Sequence, residues 1–376
     1  MKKKVNGMRA KDQQGSIIIF VALAIIMFLA FAALAVDWGY KMVTRNELQN
    51  ISDGASLAAT RYIGYTYKNL NLTYEQQQSY VFDSTTIVSI AQEIALQNQA
   101  AKKNIVINDS DVFIGKWDAG AKSLYDIGNM NQPDAVRVIA RRDDVANSPI
   151  TTFFAKTFGK DTVDVTAYAT AALTGQSTAE SGGLPVPVGI SARWFEQPDF
   201  CDQPIKFYPT NTPEGCAGWT TYTDDFYDKR PPNMDKLRDI IDALGSGLKS
   251  PAAKAGETSF EFVGGNLADA LKNFKALFDK MRVLNDGILD ADQNSATWTT
   301  AVVVYSYEGL SDPCANPNKP ARILGFSTVT ITNVIAPPDG QLVEAIVKCD
   351  FVDTGRGGGG EYGTKGDIPG LVEPFK

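Results

Sequence analysis

The spacing of apolar residues changes several times along the chain, and each change predicts a different element. From Ile17 to Val36, twenty consecutive residues carry no charge and no strongly polar group. At 1.5 Å per residue such a helix spans about 30 Å, the thickness of a bilayer's hydrocarbon core. It is apolar on every side, whereas a helix buried in a soluble core usually keeps a polar face. The segment reads as a transmembrane signal anchor. Ala33-Leu34-Ala35 offers a small-residue cleavage site, but the run is longer than the roughly 7–15 apolar residues of a cleaved signal. Beyond Asp37 no proline intervenes before Ile63. Leu48, Ile51, Ala55, Ala58, Ala59 and Tyr62 recur at helical spacing opposite Arg45, Asn46, Gln49 and Asn50, which predicts that the helix continues as an amphipathic one. Val81, Ile87, Ile90, Ile94 and Ala95 predict a second helix from Glu75 to about Lys103.

The period then shortens. Ile105–Ile107, Val112–Trp117, Ala135–Ala140 and Val163–Thr170 predict strands, with a short helix from Ser148 to Phe158 stopped by Gly159. Helices followed by strands give an α+β unit on a membrane-embedded stalk, the long helix packed on an antiparallel sheet. The polar, glycine-bounded stretch 176–183 reads as a linker. After it, Asp235–Leu244 and a run capped by Asn266 (Leu267, Leu271, Phe274, Leu277, Phe278, Met281, Leu284) are predicted helices. Thr299–Tyr307, Ile323–Val334 and Leu342–Phe351 are predicted strands, with Pro337-Pro338 and Asp339-Gly340 marking the stop and turn between the last two. The expected organisation is a basic tail (1–16), the membrane anchor (17–36), an α+β domain (37–175), the linker, and a mixed β-rich domain (184–376) stapled by disulfides.

Charge orients this arrangement. The chain holds 36 Lys and Arg against 43 Asp and Glu, a net of −7, but residues 1–16 alone carry +4 and the rest −11. A basic flank before the apolar run predicts that this end stays in the cytoplasm and the remainder lies outside it. An acidic body argues against nucleic acid as a partner. There is no histidine, which excludes a Ser-His-Asp or Cys-His triad and any His-bearing zinc site. No catalytic residue, cofactor, metal or small-molecule substrate is identified, and the chain is expected not to be an enzyme.

All four cysteines, Cys201, Cys216, Cys314 and Cys349, follow the linker, an even count that fits disulfides in an exported domain. Three connectivities exist; closure of local loops favours Cys201–Cys216 and Cys314–Cys349. Asp290-x-Asp292-x-Asn294 begins like a calcium loop, but Ser295 replaces the required glycine and Ala301 the bidentate glutamate, so a turn is the better reading. The glycine run 355–360 lacks the Gly-Lys-Ser/Thr ending of a phosphate loop and reads as a flexible surface segment. Trp219, Tyr222, Phe226 and Tyr227, interleaved with Asp224, Asp225 and Asp228, read foremost as a packed corner and are also the best candidate for contact with a partner.

Several short motifs carry a resemblance. Gln14-Gly15-Ser16 enters the apolar run, Ala32-Ala33-Leu34-Ala35-Val36-Asp37-Trp38-Gly39 leaves it, and Leu48-Gln49-Asn50 is followed by Asp53-Gly54-Ala55-Ser56-Leu57-Ala58-Ala59. This combination, with the strand series downstream, resembles TadG-type proteins of the TadE/TadG-like family of the tight-adherence (Flp) pilus assembly system over roughly residues 12–175. Gly15, Asp37, Trp38, Gly39, Leu48, Gln49 and Asp53 are the positions that match its pattern. The resemblance implies an assembly protein anchored by residues 17–36 in membrane lipid, contacting other pilus-assembly or pilin-like membrane proteins. Processed pilins carry a Glu five residues after the cleaved glycine; here that position is Phe20, which argues against the alternative of a minor pilin or surface-exposed adhesion subunit. The Asp-x-Ser-x-Ser motif of adhesion-domain variants is also missing. A periplasmic ligand-binding protein is the weakest alternative.

Overall fold

The computed structural model describes residues 12–70, 72–118, 121–197, 201, 203–208, 215–264, 268–286, 297–349, 351–353, 358, 360 and 362–372. Helix α1 (Asp12–Leu70) runs unbroken for 59 residues, about 90 Å. The large apolar side chains of its first part, Ile17 to Val36, are exposed. Among the described residues α1 is the one helix long and apolar enough to cross a membrane.

Past Asp37 the same helix becomes the spine of a folded unit. Leu48, Ile51, Ala55, Ala59, Ile63 and Tyr67 form its buried stripe, and Thr44, Ser52, Ser56 and Thr60 are buried beside it. Small side chains let the helix lie close to the sheet, where the strand Val165–Gly175 presents Ala167, Ala169 and Ala171 on one face. The hydroxyls that this burial removes from water find acceptors: Ser52 donates to the Ala167 carbonyl at 3.3 Å and Thr60 to that of Ala171 at 3.2 Å.

The predicted Glu75–Lys103 helix is two helices. Thr73 caps α2 (Tyr74–Ser79) in a reciprocal box with Gln76, and Asp83 caps α3 (Ser84–Leu96) by accepting from the Thr85 N–H at 3.0 Å. The Asp83-Ser84-Thr85 start resets the helical phase, so Phe82 is buried while Val81 is exposed. After Leu96 the chain turns through left-handed Ala101 and Lys102 into a small hairpin, Gln99–Ala100 with Lys103–Asn104. The predicted Ser148–Phe158 helix shrinks to one 3₁₀ turn, Ala155–Phe158. Left-handed Asn147 and Ser148 and the pairing of Ile150–Thr151 with Thr162–Val163 take the rest of that segment.

The first sheet has five antiparallel strands in the order Lys365–Leu371, Val165–Gly175, Ala135–Arg142, Val112–Asp118, Ser123–Asp126. Its first strand comes from the far end of the chain. Gly64 makes room for it: a Cβ there would collide with the Asp367 carbonyl. Lys365 pairs with buried Asp134, and Lys68 lies 3.3 Å from Asp367.

The second sheet has eight strands. Pro320–Ile335, Ser259–Val263, Ala217–Tyr222, Val188–Ser191 and Trp298–Tyr305 pair in succession, and Trp298–Tyr305 pairs again with Pro320–Ile335, so these five close on themselves. Leu342–Val347 and Ile205–Phe207 extend one side, and Tyr362–Gly363 joins Pro320–Ile335 in parallel. Helices α4 (Met234–Gly245) and α5 (Ala268–Asp286) lay Leu237, Ile240 and Ile241, and Leu271, Phe274, Leu277 and Phe278, into the same core. The cap expected at Asn266 lies outside the described residues.

Residues 176–183 join the two sheets as a paired segment. Gln176 is fully buried and its N–H donates to Thr364, and Thr178–Ala179 pairs with Ala253–Lys254.

Candidate interaction surfaces and the residues that shape them

Asp37 is the first residue after the apolar run. Its carboxylate accepts three consecutive backbone N–H groups: Phe153 on Oδ1 at 2.7 Å, Phe154 and Ala155 on Oδ2 at 3.0 and 2.7 Å. Ala155 opens the 3₁₀ turn, Phe154 caps it and Phe153 precedes the cap, and one carboxylate accepts from all three. Partial burial works to raise the Asp37 pKa, but the three N–H bonds outweigh it and hold the group below the usual carboxylate value. The segment 153–158 is thereby fixed to α1 where the helix leaves its apolar stretch. The ring of Phe153 meets Tyr40 edge-on at 5.3 Å.

The other motif positions divide by role. Leu48 is core. Gln49 donates to Asp53 Oδ1 at 2.7 Å and to the Tyr168 carbonyl at 3.0 Å, tying helix to sheet. Trp38 is exposed, with Lys41 Nζ 5.6 Å from its ring centroid. A Cβ on Gly39 would meet nothing within 4 Å, so packing does not explain that glycine. Gly15 lies in the first turns of α1.

The aromatic group of the second unit is brought together, but mostly inside. Trp219 and Tyr222 are buried; the indole donates to the Tyr208 carbonyl at 3.0 Å and the Tyr222 hydroxyl to that of Leu184 at 2.5 Å. Burial pushes the Tyr222 pKa well up. Phe226 is half-buried against Tyr222, and Tyr227 is the one of the four with an exposed ring. The loop that carries them is organised by Lys236. Its fully buried ammonium donates to the carbonyls of Asp224, Asp228 and Arg230 at 2.8, 3.0 and 3.1 Å. The apolar period of α4 does not mark this residue. A lysine in the first turn of a helix opposes the macrodipole, and that was the available signal.

The cysteines pair as Cys201–Cys349 and Cys216–Cys314, not as the two local loops. Sheet register is the reason. Ile205 faces Ala345 and Phe207 faces Val343 in an antiparallel pair, and continuing that register backwards sets Cys201 opposite Cys349. Ser191 brings the second pair together: its N–H donates to the Cys216 carbonyl at 2.8 Å and its hydroxyl to that of Pro313 at 2.6 Å.

No group of three or more Cys, Asp or Glu side chains that could hold a metal ion occurs among the described residues. The Asp290–Asn294 segment lies outside them. Of the run 355–360 only Gly358 and Gly360 are described, and both sit tightly against the first sheet. Gly360 N–H donates to Gly175 at 2.8 Å, and a Cβ on Gly358 would collide with the Ile368 carbonyl.

Residues 15–61 match the TadE/G-like Flp pilus-assembly family, and residues 71–171 match the Tad-like Flp pilus-assembly family. The two matches meet on one structural unit, α1 with the helices and strands packed on it. No curated protein and no solved structure matches the chain.

Proposed function

We propose, from the matches of residues 15–61 and 71–171 to Tad-type pilus-assembly families, that the chain is an inner-membrane-anchored, periplasm-facing scaffold of a Flp/Tad-type pilus, working by protein contacts and not by catalysis. One observation carries this reading. The exposed apolar stretch of α1 and the buried Leu48–Tyr67 stripe belong to a single unbroken helix, so the anchor and the folded body cannot swivel independently. A scaffold that sets subunits at a fixed height and angle above a membrane needs that stiffness. The basic residues 1–16 support a cytoplasmic N-terminus, and the two disulfides suit an oxidising compartment. Contacts with pilin-like or assembly proteins are then made by the body above the bilayer.

The test is made in the pilus-bearing host. A four-residue Gly-Ser insertion after Lys41 would uncouple anchor from body while leaving both folded. Loss of pili with normal protein level and membrane fractionation supports the scaffold. Unchanged piliation sinks it. Protease added to the periplasmic side must digest the body and spare an N-terminal tag; the reverse pattern overturns the orientation.

A further inference from the structure

We infer that the segment Phe153–Phe158 is a membrane-docking loop that inserts its phenylalanines into the headgroup region of the bilayer that α1 crosses. The inference rests on the membrane-anchor reading of α1. Three phenylalanines within six residues point outward: Phe158 is 79 % exposed, Phe153 53 % and Phe154 46 %. The loop showing them is closed and held. The Thr152 N–H donates to the Asp161 carbonyl at 3.0 Å, the Thr152 hydroxyl to that of Lys160 at 2.5 Å, and left-handed Gly159 donates back to Lys156 at 3.0 Å. A closed loop that keeps three large apolar rings in water marks a surface built to be covered.

The position of the loop names what covers it. Its backbone is bonded to Asp37 at 2.7–3.0 Å, and Asp37 directly follows Val36, the last residue of the apolar span. The loop therefore sits at the height where α1 leaves the hydrocarbon. Trp38, 58 % exposed, lies at that same height with Lys41 over its ring. Lys156 and Lys160 are exposed in and beside the loop. Aromatic rings interleaved with lysines are the composition that the bilayer interface selects, the rings at headgroup depth and the ammonium groups on lipid phosphates. The Asp37 carboxylate is thus a positioning group that aims the loop at the lipid.

The test uses the full chain reconstituted into phosphatidylethanolamine–phosphatidylglycerol vesicles containing phosphatidylcholine brominated on its acyl chains. Emission is compared for the wild type, W38F and W38F/F158W, with W38F/F154W as a second reporter. The wild type minus W38F reports Trp38, and each double variant minus W38F reports the loop. The expected result is loss of the reporter signal with bromolipid, in parallel with loss of the Trp38 signal. Quenching of Trp38 without quenching of either reporter overturns the loop inference and leaves the anchor standing. Absence of quenching at Trp38 as well overturns the anchor reading and the inference with it. A reporter shielded from both bromolipid and aqueous acrylamide faces a protein, which also overturns the inference.

Discussion

Gln77 and Val352 face each other as if both were backbone. The Gln77 amide donates to the Val352 carbonyl at 3.0 Å and accepts from its N–H at 3.0 Å, 275 residues apart in sequence and buried. One side chain thus imitates a strand partner and fastens residue 352 to the helices packed on the first sheet. Replacing Gln77 by leucine leaves both Val352 groups buried and unpaired, which costs about 2–4 kcal/mol. Denaturant unfolding of the soluble body measures it, and a loss below about 0.5 kcal/mol would show that water replaces the amide freely.

The C-terminal strand depends on a missing side chain. Gly64→Ala drives a Cβ into the Asp367 carbonyl, so the strand Lys365–Leu371 should lift off and become open to protease. Gly39→Ala meets nothing within 4 Å and should gain up to about 1 kcal/mol of helix stability. The same substitution in the same helix is predicted to have opposite signs, and thermal unfolding of the pair checks this.

Docking of the 153–158 loop should depend on acid. The Asp37 pKa is lowered in the folded protein, so its contribution is fully present above the unfolded value of about 4 and is lost as pH falls through the lower folded value. Protection of the Phe153, Phe154 and Ala155 amides, taken as exchange relative to the unstructured rate at the same pH, should be high at neutral pH and fall in that window. Asp37→Asn should remove the pH dependence of that protection and leave it low throughout.

Lys236→Met keeps the buried stem but strips the donors from the Asp224, Asp228 and Arg230 carbonyls. A loss of about 2–4 kcal/mol is expected. The first new proteolytic cut should fall within residues 224–230.

Non-reducing peptide maps should recover Cys201 with Cys349 and Cys216 with Cys314. Because the linked residues are 148 and 98 positions apart, chain entropy assigns each bridge about 4–5 kcal/mol, more than the local loops would have contributed. Maps showing the local pairs would contradict the sheet register.

What could be read from the sequence was what depends on neighbours close in the chain. The apolar run 17–36, the Leu48–Ala59 stripe, the alternation of Ala135–Ala140 and the spacing in α4 and α5 each report a local period, and each stands as an element in the fold. The Tad-type resemblance rested on that same local stretch. Where local signals competed, the reading slipped. Asp83 caps a helix in the middle of an apolar periodicity that is continuous in the sequence, and the Asp37 carboxylate takes N–H groups that the 148–158 helix would have used. The C-terminal strand carries Pro369 and two glycines and has no strand period of its own; it is a strand because Val165–Gly175 offers it an edge. Disulfide partners, the buried seat of Lys236, the inward turn of Trp219 and Tyr222, and the meeting of Asp37 with Phe153 all join residues brought together by strand register or helix packing. Sequence spacing sets the period of an element, but only the folded sheet decides which distant residue stands opposite.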